Sequence, residues 1–148
     1  MNLPTSDSSA SKTHILSLTY APKIEAVKAG EIKQTIRSWD SMRPKKVGDK
    51  LILHTWSGKP YRTPWGWRLE TKLSAVLNIG YSDGDWFGPY WNKGNEFLGN
   101  KLLSDVYIDS IARLDGIEPP TREGLENTLM KLNGLKTLEG TLWDVLRW

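Results

Sequence analysis

The chain has no cysteine, so disulfide staples, thiolate metal sites and cysteine nucleophiles are all excluded. It has two histidines, His14 and His54, too few for a His-based metal site unless carboxylates join them. No metal and no cofactor is expected. No apolar run approaches the roughly 20 residues of a membrane helix, and no membrane partner is expected. Residues 1–12 are rich in Ser and lack both the basic start and the apolar middle of a secretory signal, so they read as a disordered tail. A cytoplasmic location and a monomeric state are the default expectations.

What is present is one domain's worth of sequence. At 148 residues the chain can bury a genuine core but is short for two domains, so residues 13–148 are expected to form a single unit. Its charge is unevenly placed. Between Lys33 and Lys72 ten Lys or Arg stand against three acids, Asp40, Asp49 and Glu70, although the whole chain carries only +3. Such a block points to a polyanionic partner, unless the cations are spread around the domain without forming a patch. Aromatic residues interleave with it: Trp39, Trp56, Tyr61, Trp65 and Trp67 sit among Arg37, Arg43, Lys59, Arg62 and Arg68. Cationic grooves with aromatic faces are how unstacked bases are held. Trp65 and Trp67 flank Gly66 and would share one side of an extended backbone, either as stacking surfaces or as core. Trp143 and Trp148 read as core.

Periodicity and turn residues order the elements. Residues 14–19 predict a strand, 22–29 a short helix stopped at Gly30, and 33–37 a second strand. A basic loop over 38–46 leads to the Gly48-Asp49 turn and a strand over 50–56. Residues 68–81 predict one long bent strand. Residues 83–100, rich in Gly and aromatics, read as a long loop or lid. A helix is expected over 105–114. Thr121 caps another, which carries Leu125, Leu129 and Leu132 and ends at Asn133-Gly134. Residues 142–148 form the closing strand. The order is mostly β with helices at ends and crossovers, an α+β chain compatible with a small closed barrel.

The segment Gly30-Glu31-Ile32-Lys33-Gln34-Thr35-Ile36-Arg37 carries the most information. Alternate side chains of a strand share a face, so Lys33, Thr35 and Arg37 fall together while Gln34 and Ile36 fall opposite. Two cations flanking a hydroxyl suit an anion or nucleotide; an edge strand with a solvated polar face would show the same pattern. A helix ending in Gly, then Lys, Thr and Arg on a strand, then Val47-Gly48-Asp49-Lys50, resembles the ASCH domain family, a branch of the PUA-like superfamily. Ile15-Leu16-Ser17-Leu18, Ile111-Ala112-Arg113-Leu114-Asp115-Gly116-Ile117 and Val145-Leu146-Arg147-Trp148 extend the resemblance, which covers residues 14–80 and 105–148.

That resemblance implies a small PUA-like β-barrel of about five to six strands with two to three short helices, the 83–100 loop being inserted into it. It implies a cleft beside the Lys33/Thr35/Arg37 strand that takes RNA or a nucleoside or nucleotide. The nucleic-acid-binding set would be Lys33, Arg37, Arg43, Lys45, Lys46, Arg62, Trp65, Trp67 and Arg68. One ASCH branch, the acetylcytidine amidohydrolases, implies an alternative: Thr35 as nucleophile, Lys33 as base and Asp115 as acid. A hydroxyl is a weak nucleophile without a base in reach, and a lysine can serve if burial or neighbouring cations lower its pKa. In that branch the lysine precedes the threonine by three residues, where this chain has Ile32, and the acid is Glu. A one-residue shift on a strand swaps faces, so these departures favour binding over hydrolysis.

Overall fold

The computed structural model describes residues 11–88, 91–93, 96–98 and 101–148. Residues 1–10 of the expected tail, and 89–90, 94–95 and 99–100 of the expected lid, lie outside the described residues. The chain runs β1 (Thr13–Ser17), α1 (Ala21–Lys28), β2 (Gln34–Ser38), β3 (Lys50–Trp56), β4 (Trp65–Lys72), β5 (Ala75–Ser82) and β6 (Asp85–Phe87). It continues with β7 (Trp91–Lys93), β8 (Glu96–Leu98), α2 (Asp105–Leu114), α3 (Arg122–Asn133) and β9 (Thr141–Arg147). The class is α+β. Among the described residues no helix is long and apolar enough to cross a membrane.

The strands form two main sheets. One has the order β1-β3-β4, the other β2-β9-β5-β6, and β7 pairs with β8 in a separate ribbon. One core, built on Leu18, Val27, Leu51, Leu53, Leu73 and Leu146, takes residues from both sheets and from α1. On its other face the second sheet meets α2 and α3 through Ile36, Ile79, Trp143 and Val145 against Ile108, Ile111, Leu125 and Leu129. Strand β9 therefore contributes Leu146 to one core and Val145 to the other, as the period of two requires.

A closed barrel would need a ladder between the edges β1 and β2. Among the described residues there is none: the Ser17 carbonyl of β1 instead accepts from a terminal nitrogen of Arg37, at 2.7 Å. The join is made by a side chain.

The long bent strand expected over 68–81 is two strands in two sheets. The switch occurs at Leu73, whose N–H donates to Asp49 O while the next N–H, of Ser74, donates to Arg147 O, both at 2.8–2.9 Å. Leu73 is buried in the shared core, and that burial anchors the crossing. The Gly48-Asp49 turn holds the same corner. Its fully buried Asp49 carboxylate accepts from the backbone of Lys12 and Lys46 and from His14 Nε2 at 2.8 Å. Burial alone would raise the Asp49 pKa; the His14 and backbone hydrogen bonds outweigh it and hold the carboxyl below its ordinary value.

The expected loop over 83–100 is also corrected where it is described. Asp83 and Gly84 have φ of 53° and 79°, the geometry of a two-residue hairpin turn, and they join β5 to β6. Glu139 accepts from both of their N–H groups. Trp86 on β6 is fully buried in the helix-side core, and its Nε1 donates to Glu126 at 3.0 Å. Arg122 ties the same hairpin to the helices, bonding Glu126, Asp105 and the Gly84 carbonyl. Residues 83–88 are therefore packed structure. Trp86→Ala should cost about 3–5 kcal/mol, read from the urea midpoint, as for a fully buried aromatic. A cost near zero would return this segment to the status of a loop.

Candidate functional site

The β1–α1 connection, the open edge of β2 and one side of α3 line a partly open cavity of about 190 Å³. Thr35, Arg37 and Asp115 line it, as does Lys23. Each is placed by local structure. Asp115 is the C-cap of α2, and Gly116 follows at φ 76°, a left-handed conformation that turns the chain out of the helix and points it toward Ile117. Lys23 lies in the first turn of α1. Thr35 and Arg37 share a face of β2.

A buried polar network surrounds Asp115. Lys23 Nζ lies 2.9 Å from Asp115 Oδ2, and Gln34 Nε2 donates to Asp115 Oδ1 at 3.2 Å and to Ile111 O at 2.9 Å. Gln34 Oε1 accepts from Arg147 Nε at 2.8 Å. Lys23 is 4% exposed and Asp115 6%, so this ion pair is withdrawn from water. Each partner also sits at the helix end that disfavours its charge. A cation near an N-terminus and a carboxylate at a C-terminus both oppose the helix dipole. Burial lowers the Lys23 pKa, Asp115 opposes that shift, and Arg37 adds to it. The result is a lysine with its charged form disfavoured, facing a cavity.

Thr35 is 3% exposed, and its Oγ1 accepts from Arg37 Nε at 3.2 Å. Among the described residues its hydroxyl proton has no acceptor. Arg37 is held at both ends, by Thr35 and by Ser17 O, and burial lowers its pKa against the pull of Asp115. Among the described residues no hydrogen bond joins Thr35 to Lys23 or Asp115.

Lys33 does not line the cavity. It precedes β2 and is exposed where the sheet runs out, its carbonyl accepting from Trp148 N. The lysine in the cavity is Lys23, contributed by α1. Sequence spacing on one strand had no access to it. The available signal was a Lys in the first turn of a helix, against the dipole. Gln34 was also missed as a contributor, because alternation put it on the face opposite Thr35; that face packs on α2, where Asp115 ends the helix.

The basic, aromatic window is not gathered around this cavity. Lys45 Nζ lies 3.6 Å from the buried Asp144, whose pKa burial raises and Lys45 pulls back. Arg43 and Lys45 line a second cavity of about 230 Å³ beside β1. Arg62 is exposed in the β3–β4 connection, Lys46 is half-buried beside the Asp49 turn, and exposed Arg68 pairs with Glu70 at 2.6 Å. The two tryptophans part company. The β3–β4 register slips at Thr55/Trp56, so Trp65 pairs with Trp56 while Trp67 pairs with Thr55. A β-bulge of this kind inserts one residue and changes which face a side chain takes. Trp67 packs on the shared core, whereas Trp65 stacks on His54 with ring centroids 4.0 Å apart. The expectation that both lie on one side is thereby overturned.

No family model, no curated protein and no solved structure matches this chain.

His54 yields a test of this region. It is 4% exposed, and its Nδ1 makes no well-formed hydrogen bond among the described residues. Burial, with Arg37 nearby, holds its pKa below the ordinary value. The unfolded chain keeps about 6.5. As pH falls through that value the unfolded state takes up a proton that the folded state resists, so stability falls. His54→Phe keeps a ring on Trp65 and should flatten the decline, measured as urea midpoints of both proteins from about pH 7 to about pH 5. Parallel curves would place the titrating group elsewhere.

Proposed function

We propose that this chain is a nucleotide-binding domain of the ASCH type in the PUA-like superfamily, taking a nucleoside unit, free or within RNA, in the cavity over β2. The observation that carries it is the buried Lys23–Asp115 pair lining one partly open cavity with Thr35. Each charge is desolvated and set against its helix dipole, an arrangement expected where a site needs it and not where a fold does. The cavity, about 190 Å³, is below the roughly 300–1,000 Å³ of drug-sized pockets, which favours one nucleoside unit over a length of polymer. Two sheets around one core, joined at β1 and β2 by Arg37, are compatible with a PUA-like barrel open at that join.

A second reading has its own support. A buried lysine with lowered pKa can act as a base, and Lys23 would take the role expected of Lys33 in an amidohydrolase with Thr35 as nucleophile and Asp115 as acid. Without a hydrogen bond from Thr35 to either, the apo geometry leans to binding, although such bonds can tighten only when substrate is present.

One substitution separates the two. Thr35→Val keeps the branched shape and removes the hydroxyl. For a binding domain, calorimetric titration with nucleosides and nucleoside monophosphates should show affinity reduced about fivefold, one hydrogen bond at about 1 kcal/mol. Acetate release from acetylcytidine should be absent in both proteins. Wild-type hydrolysis that Thr35→Val abolishes would establish the second reading. Failure of every nucleoside and nucleotide to bind the wild type would dismiss the first.

A further inference from the structure

Strand β2 is an edge of its sheet, and its register decides what that edge presents. Trp148 N donates to Lys33 O, and Trp39 N donates to Leu142 O. The odd-numbered residues of this stretch thus turn their peptide groups toward β9. Alternation along an antiparallel pair then turns the N–H and C=O of Gln34, Ile36 and Ser38 outward. None of these groups has a hydrogen-bond partner among the described residues. Ile36 and Ser38 both line the cavity. Its floor is therefore an unpaired strand edge, a feature that proteins usually pair or cover because it templates further hydrogen bonding.

We infer that the cavity recognises the base edge of its ligand through the backbone of Ile36, pairing with a planar group that carries a donor and an acceptor on adjacent atoms. The N–H and C=O of one extended residue point the same way, side by side, as they would toward a partner strand. A lactam or amino-imine edge offers the complementary pair, and each of the four nucleobases has one. Such a ring would lie in the plane of the sheet, as one further rung beyond β2. Leu18, from the core between the sheets, and Leu129, from the helix-side core, both line the cavity beside that edge, as do Tyr20 and Leu132. This inference rests on the nucleotide reading above and narrows it to the base edge.

The test uses the ¹⁵N-labelled full chain. Uridine, cytidine, adenosine and guanosine are titrated while backbone amide resonances are followed. Each one that binds is then compared with its analogue methylated to remove the edge N–H (3-methyluridine, N4,N4-dimethylcytidine, N6,N6-dimethyladenosine or 1-methylguanosine). The Ile36 amide should shift more than those of Thr35 and Arg37, and its hydrogen exchange should slow on binding. The methylated analogue should bind roughly tenfold more weakly or worse, because the Ile36 carbonyl is left unpaired. Equal affinity for both forms, or an unmoved Ile36 amide while Lys23 and Asp115 respond, would overturn the base-edge inference and leave the pocket reading standing. If no nucleoside moves any cavity amide, both fall.

Discussion

Strand β9 must be covered on both faces, and the layering of the molecule follows from that requirement. Val145 and Trp143 point to the helices, while Leu146 points to the first sheet. An apolar strand buried on one side only would leave the other in water, at about 25 cal/mol for each Å² of apolar surface left exposed. The β1-β3-β4 sheet supplies one cover and α2 with α3 the other. At the end of β9, Arg147 O accepts from Ser74 at the strand switch and Arg147 Nε donates to Gln34 on the neighbouring β2. The corner at Asp49 holds the same switch from the opposite side through Leu73.

The cavity arises where that layering is incomplete. β2 is an edge, and among the described residues its outward peptide groups take no hydrogen bond from α1 or α2. What the two helices contribute instead is a pair of opposite charges, Lys23 and Asp115, each at the wrong helix end for its sign and each out of water. Placed singly, either would be costly; together, with Gln34 bonding the carboxylate, they offset each other. Ordinary stability would favour an apolar pair at this position. The retained charges are the physical ground for reading the cavity as a site.

Cations and aromatics that are neighbours in sequence need not be neighbours on a surface. Residues 33–72 wind through a strand edge, a loop and a hairpin, so ten cations disperse around both sheets. Lys45 is drawn into a buried pair with Asp144, Arg68 is matched by Glu70, and Arg37 pins β1 to β2. The bulge near Gly66 separates Trp65 from Trp67. A charge count carries no such information, because it has no term for where the backbone turns.

Helix ends and turns were legible because their causes lie within a few residues. Thr121 accepts from Gly124 N and Gly134 adopts φ 63°, as capping residues predict, and α2 spans Asp105–Leu114 as its periodicity requires. Asp83-Gly84 carried a hairpin signal of the same local kind, obscured by the aromatic-rich stretch that follows it. The α+β class and the Thr35–Arg37 face also came from sequence, and Asp115, singled out through family resemblance, lines the same cavity. The break at Leu73, the bulge at Trp65, the choice of Lys23 over Lys33 and the recruitment of Gln34 did not. Backbone conformation is set by each residue and its near neighbours, but burial and ion pairing depend on elements remote in the chain. Lys23 reaches the cavity and Asp115 only because α1 docks against the end of α2, and no local pattern in either helix specifies that meeting.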